Sequence, residues 1–266
     1  NKILIITPEQ FSFTAEKKLM EAIETEAVFN AEVVTFSRMA YRVIQEIGGR
    51  TETNLSKCGK AMLIYSILNN CKKDLKFLGK TDENVDMAGT AITEFKKHGI
   101  SVEQLKQETE KQSDIYLKNK LNDINMIYEK FQEQIAGKYI DETDLLTILA
   151  QNVDKVPDFK DNLIYIDEFA GFTSQEYHII KKLIQIAKQV TITICTDTIH
   201  EIKNADTDIF YSNQITINKL LQLASENDIK IEEVELEQTY RFKTPELKHL
   251  EQNLYNPKVK YFEQIP

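Results

Sequence analysis

The stretch L163-I-Y-I-D-E-F-A-G-F-T-S-Q175 decides how the chain is read. Four apolar residues, Leu163 to Ile166, suit a buried strand, and Asp167 and Glu168 follow at its end. In open parallel sheets, ligands gather outside the carboxyl ends of strands. A carboxylate pair there has the chemistry to hold a magnesium ion and to polarise an attacking water. The alternative is structural, because acidic residues also favour the turn before a helix, where the dipole attracts them. Thr173 and Glu176 form a capping-box pattern, and the helix behind them carries Ile179, Ile180, Leu183, Ile184 and Ala187.

Working outward, the same grammar recurs on both sides. Residues 3–6, "ILII", end at Thr7-Pro8, and a helix is expected from Thr14 with Leu19 and Ile23 on one face. "AEVVTFSRMAYRVIQEIGG" predicts a strand through Val33, Val34 and Phe36, a helix capped by Ser37, and a stop at Gly48-Gly49. "VTITIC" predicts a strand with Val190, Ile192 and Ile194 on one face. A helix over 215–225, a strand at "KIEEVEL" and a helix start at Thr244-Pro245 complete the chain. Strand and helix alternating in this way predict an α/β fold with a parallel sheet.

Between about Arg50 and Lys160 the pattern turns helical. "NDINMIYEKFQEQI" spaces Ile124, Ile127, Tyr128, Phe131 and Ile135 by threes and fours, and Ser101 with Gln104 makes another capping box. The expected organisation is a first α/β part over 1–49 and an all-helical insertion over 50–160. A second α/β part over 161–235 follows, and then 236–266 as the start of a second domain or as a C-terminal extension.

Composition agrees and sets limits. With 8 Gly, 5 Pro and no Trp among 266 residues, the chain is rich in helix formers. Its net charge of −9 argues against the whole surface being an electrostatic nucleic-acid binder, while permitting a local basic groove. Cys58, Cys71 and Cys195 have no metal-ligand spacing, nor do the four histidines, and free thiols in a reducing cytoplasm are expected. No apolar run reaches the roughly 18–20 residues of a membrane span, and no signal peptide is visible. The chain opens on Asn1 and runs at once into a strand, so a cut end is expected there.

A carboxylate pair serving a nucleotide needs the loop G-x-x-x-x-G-K-[ST] to cradle phosphates. The chain has none: "GGRTETNLSKCGK" holds glycines and lysines at the wrong spacing. Two further segments carry candidate chemistry. In "TYRF", Arg241 could reach a phosphate and Tyr240 could stack on a base. In "TFSRMA", Thr35, Ser37 and Arg38 could contact a phosphodiester. Each also has a plain reading, as a surface Arg beside a packed Tyr and as a helix cap.

Together and in this order, these segments resemble the UvrD-like superfamily 1 helicases. "VVTFSRMA" is similar to that family's DNA-touching T-F-T-N-K-A-A segment, and "DETDLLTILAQNV" to the D-F-D-D-L-L segment that closes a helical insertion. "IYIDEF" is similar to the D-E-F-Q-D magnesium motif, and "LEQTYRFKTPELKHLEQNLYNP" to L-x-x-N-Y-R-S, whose arginine contacts a γ-phosphate. "IITPEQFSFTAEKKL" and "DEFAGFTSQEYHII" narrow the resemblance to the AddB family, the B subunits of the bacterial AddAB helicase–nucleases.

The resemblance implies a P-loop NTPase-like, helicase-like fold with a large all-helical insertion. It implies Asp167 and Glu168 as remnants of a magnesium site, Tyr240 and Arg241 as remnants of a nucleotide pocket, and Thr35, Ser37 and Arg38 as DNA contacts. An AddA-like motor subunit and single-stranded and double-stranded DNA ends are the implied partners. Mg and ATP are implied cofactors, with weak binding expected here. The phosphate loop, and a nuclease domain tied by an iron–sulfur cluster, are expected outside the chain. Ala170 and Gly171 replace the motor's Gln-Asp, and Thr196-Asp197-Thr198-Ile199-His200 lacks the Gly and Gln of G-D-x-x-Q. These departures imply a DNA-reading, Chi-recognising scaffold that no longer drives translocation. A truncated active helicase and a non-enzymatic interaction module are the alternatives.

Overall fold

A computed structural model of the chain describes residues 2–23, 30–78, 82–199, 208–236, 240, 242–255, 258 and 261–262. Strands β1 (Ile3–Ile6), β2 (Ala31–Val34), β5 (Leu163–Ile166) and β6 (Gln189–Ile192) form one parallel sheet in the order β2-β1-β5-β6. β5 is paired with β1 along its whole length, Ile3 opposite Leu163 through Ile6 opposite Ile166. Leu4, Ile6, Ile164 and Ile166 are fully buried on one face. That face is covered by α2 (Phe36–Glu46), α7 (Glu142–Asn152) and α8 (Ser174–Ile186), through Met39, Val43, Leu149, Ile179 and Leu183. The period-two burial of β1 and β5 is what a sheet packed by helices requires.

Several elements stand as the sequence predicts. Gly48 and Gly49 end α2 at φ +104° and +74°, a backbone region that L-residues rarely enter. Both capping boxes form: Ser101 and Gln104 open α5 (Val102–Glu110), and Thr173 and Glu176 open α8. Elsewhere the structure corrects the reading. Phe36 is the first residue of α2, not part of a strand, and the cap is Thr35, whose hydroxyl accepts from the Arg38 N–H at 3.2 Å. Thr35 has the extended backbone that an N-cap needs, whereas Ser37 already lies inside the helix.

The strand expected at "VTITIC" stops at Ile192. "KIEEVEL" forms no strand among the described residues. Its alternation is real, but Val234 and Leu236 are 75% and 87% exposed, and an alternating segment without a paired neighbour has nowhere to place its backbone bonds.

Between β2 and β5 runs a helical cluster with its own core. α3 (Lys57–Asn70), α4 (Asp82–Lys97), α5 and α6 (Ile115–Ile135) bury Ile64, Ile92, Ile127, Phe131 and Ile135 together. The periodicity read in α6 is its buried face. The stretch is not wholly helical: β3 (Thr53–Asn54) and β4 (Tyr139–Ile140) pair in parallel. Two-residue strands more than eighty residues apart leave no periodic trace. α7 then returns to the sheet core.

α7 is joined to the helical cluster by buried charge. Lys60 Nζ lies 2.9 Å from Asp141 Oδ2, and Lys96 Nζ lies 3.4 Å from the same oxygen and 2.6 Å from Asp144 Oδ1. Both ammonium groups sit over the Phe131 ring, 5.4 and 5.9 Å from its centroid. Residues up to Ile229, including α9 (Tyr211–Glu226), form one compact unit. Lys230–Pro266 form a second, containing α10 (Pro245–Asn253), which starts after Thr244 with Pro245 in its first turn as predicted. Among the described residues no helix is long and apolar enough to cross a membrane.

Candidate functional site

The sheet ladder continues past the strand ends, and this fixes the site. Thr7 N–H donates to the Val34 carbonyl, Asp167 N–H to Ile6 and Thr193 N–H to Ile166, each at 3.0 Å. Thr7, Thr35, Asp167 and Thr193 therefore line the carboxyl edge of β1, β2, β5 and β6. Asp167 accepts a hydrogen bond from the Thr193 hydroxyl. Glu168 has φ +65° and turns its carboxylate toward Lys18 of α1 (Ser12–Ile23), at 3.7 Å. Asp167, Glu168 and Lys18 line a cavity of about 210 Å³ with Phe11 and Thr14.

This donor set by itself is a poor site for a resident magnesium ion. Such an ion would compete with the Thr193 hydroxyl for one Asp167 oxygen and lie near the Lys18 ammonium. Magnesium sites usually take one or two carboxylates together with substrate phosphates. The turn after β1 is a poor phosphate cradle, because Pro8 has no N–H and Glu9 adds negative charge to the short helical turn Glu9–Phe11. Among the described residues no group of three metal-ligating side chains occurs.

The aromatic side chains of the loop after β5 pack on one another, while Ala170 and Gly171 are exposed. Phe36, Phe169, Phe172 and Tyr177 follow one another with ring centroids 5.7, 5.1 and 5.6 Å apart. Lys219 of α9 sits 5.5 Å over the Tyr177 ring, and burial pushes the Tyr177 hydroxyl pKa up. A Cβ added at Gly171 would lie 3.2 Å from Thr216 Oγ1 on α9. A side chain at 171 therefore requires the Thr216 hydroxyl to shift by a few tenths of an ångström. Gly171→Asp is expected to lower stability by about 1 kcal/mol through overpacking, read as a shift of the urea midpoint. An unchanged midpoint would show that the Thr216 hydroxyl moves aside freely.

Of the other residues singled out in the sequence, Thr35 is buried and spends its hydroxyl on the α2 cap. Ser37 is half-buried, and Arg38 is exposed, with Nη1 3.0 Å from Glu16 Oε1. An exposed pair of this kind contributes little to stability, so the guanidinium can change partners at small cost. Tyr240 belongs to the second unit and is 84% exposed. Arg241 lies outside the described residues, as do Thr239 and His200. Sequence reasoning missed Lys18, Thr193 and Thr216. The alternation of "VTITIC" places Thr193 inside a longer strand, and the neighbour of β5 is not written in the sequence.

A parallel sheet with a helical cluster between its second and third strands, and a carboxylate pair at the end of the third, defines a helicase-like α/β protein. The chain belongs to the AddB N-terminal family: the family described as "ADDB, N-terminal" matches residues 1–251. It is 41% identical to the B subunit of the ATP-dependent helicase/deoxyribonuclease of Clostridium tetani, over 99% of this chain and 24% of that protein. The protein of the same name from Acetivibrio thermocellus is 39% identical over 95% of the chain and 23% of its own length. That from Clostridium botulinum strain Hall is 37% identical over 96% and 23%. The chain thus spans about a quarter of the length of these relatives.

Proposed function

We propose that this chain is the helicase-like region of the B subunit of a bacterial helicase–nuclease, acting in the cytoplasm in double-strand break repair and recombination. It works there as a DNA-reading scaffold, the region that recognises Chi, while an AddA-like subunit supplies the motor. The observation that carries this reading is the state of the carboxyl edge. Asp167 accepts a hydrogen bond from Thr193, Glu168 lies beside Lys18, and Gly171 leaves little room for a side chain against Thr216, so the edge departs from the arrangement a nucleotide-following motor needs. Magnesium and ATP accordingly bind this region weakly. The exposed contact with DNA falls to Arg38, with Ser37 next to it at the start of α2.

The test is single-strand binding by the complex with its AddA-like subunit, measured across salt concentrations. On single strands, removing one phosphate contact lowers the salt slope by about 0.7. Arg38→Ala is expected to weaken binding several-fold and to reduce that slope. Glu16→Ala, which releases Arg38, is expected to strengthen binding. Equal affinity for both variants and the parent would remove this edge from the DNA path.

A further inference from the structure

The helical cluster ends in a surface that the proposed DNA contact does not use. Phe77 is 48% exposed, and at the start of α6 Ile115, Tyr116 and Leu117 are 66%, 74% and 42% exposed. These side chains are held outward by buried or capping carboxylates. Asp123, only 2% exposed, accepts from the N–H groups of Lys76 (3.1 and 3.0 Å), Phe77 (2.7 Å) and Leu78 (2.8 Å). Leu78 is thereby drawn into the core while Phe77 faces solvent. Asp114 Oδ1 accepts from the N–H groups of Tyr116 and Leu117 at 2.8 and 3.3 Å, fixing the first turn of α6. Lys120 joins the two halves: it lies one helical turn after Tyr116, and its ammonium sits 5.8 Å from the Phe77 centroid.

We propose that this surface docks a protein, and that its occupant is an acidic-rimmed apolar pocket on the AddA-like subunit. This assignment rests on the helicase–nuclease reading given under Proposed function. Exposed apolar anchors on a backbone already fixed by hydrogen bonds need little backbone ordering when they bind, which favours an interface role. Ile115 and Leu117 cannot stack on bases, so an apolar protein pocket suits the patch better than a nucleic acid does. Charge selects the rim: residues 72–78 and 114–120 carry Lys72, Lys73, Lys76, Lys118 and Lys120 against Asp74 and Asp114, in a chain whose net charge is −9. Charge complementarity of this kind sets partner choice and encounter rate.

The experiment measures binding of the chain to the purified AddA-like subunit, with Phe77→Ser/Tyr116→Ser and, separately, Lys76→Glu/Lys120→Glu alongside the parent. Both pairs are surface changes, and melting curves check that they fold. The first pair is expected to weaken binding at least tenfold, mostly through faster dissociation. The second is expected to slow association and to remove its salt dependence. A parent that binds while the first pair binds within twofold of it overturns the docking proposal and leaves the helicase–nuclease reading intact. A parent that does not bind at all overturns both. Loss of single-strand DNA binding by the first pair, with its affinity for the AddA-like subunit unchanged, would assign the patch to nucleic acid. A change in the chain's own sedimentation, again with that affinity unchanged, would assign it to self-association.

Discussion

Asp141→Ala is expected to destabilise the first unit by about 3–5 kcal/mol, the usual result of removing one partner from a buried ion pair. The variant leaves two ammonium groups, those of Lys60 and Lys96, without the carboxylate they share, and their side chains are only 13% and 6% exposed. Lys60 keeps the Thr93 hydroxyl at 2.7 Å and Lys96 keeps Asp144, so the loss is large without being total. The pH dependence has a definite sign. Burial by itself would raise the Asp141 pKa, but Lys96 and Lys60 outweigh it and hold the carboxyl below its usual value. A pKa depressed by folding contributes stability that is fully present above the unfolded value, about 3.9, and is lost as pH falls through the folded value. The difference between parent and Asp141→Ala in urea unfolding should therefore be constant from about pH 5 to 7 and shrink below about pH 4. A difference under about 1 kcal/mol at pH 7 would mean the charges are solvated rather than locked.

Phe131→Ala should be comparably costly, about 3–5 kcal/mol, because it empties a fully buried position at the centre of the helical core. Two effects add there. The ring packs in the cluster of Ile64, Ile92 and Ile127, and its face lies under both ammonium groups. Phe131→Leu restores much of the volume but not the π face, so it should recover most of the loss and leave a deficit of about 0.5–2 kcal/mol. Phe131 and Asp141 share the same two lysines, and the double variant should lose less than the sum of the single ones. Strict additivity would show that the ring and the charges act independently.

How far the sequence disclosed this architecture depends on the range of the interaction. Ile124, Ile127, Tyr128, Phe131 and Ile135 announce the buried face of α6 because a helix repeats its own pattern. The Ser101–Gln104 and Thr173–Glu176 boxes are legible because their partners lie three residues apart. The ion cluster is not legible, since Lys60 and Asp141 meet across 81 residues. Neither is the bond from Thr193 to Asp167, which depends on β6 being the neighbour of β5. At "TFSRMA" the sequence offers two hydroxyls for one cap, and backbone geometry chooses Thr35. "KIEEVEL" shows the opposite failure, a strand pattern with no pairing strand among the described residues. The Asp167-Glu168 pair is legible as two carboxylates at a strand end, whereas its neighbours Thr193 and Lys18 are visible only in three dimensions.

Whether this region holds DNA without driving it turns on the Asp167 carboxylate. Asp167→Asn should be introduced into the complex with an AddA-like subunit whose own ATPase has been inactivated, and the remaining DNA-dependent ATP hydrolysis and unwinding measured at saturating magnesium. A carboxylate that serves structure alone predicts both rates within about twofold of the parent. A magnesium-binding motor carboxylate contributes on the order of 3–4 kcal/mol of transition-state stabilisation, so its loss would slow turnover at least a hundredfold. Unchanged rates are the result expected here, and a hundredfold loss would make this region a working motor.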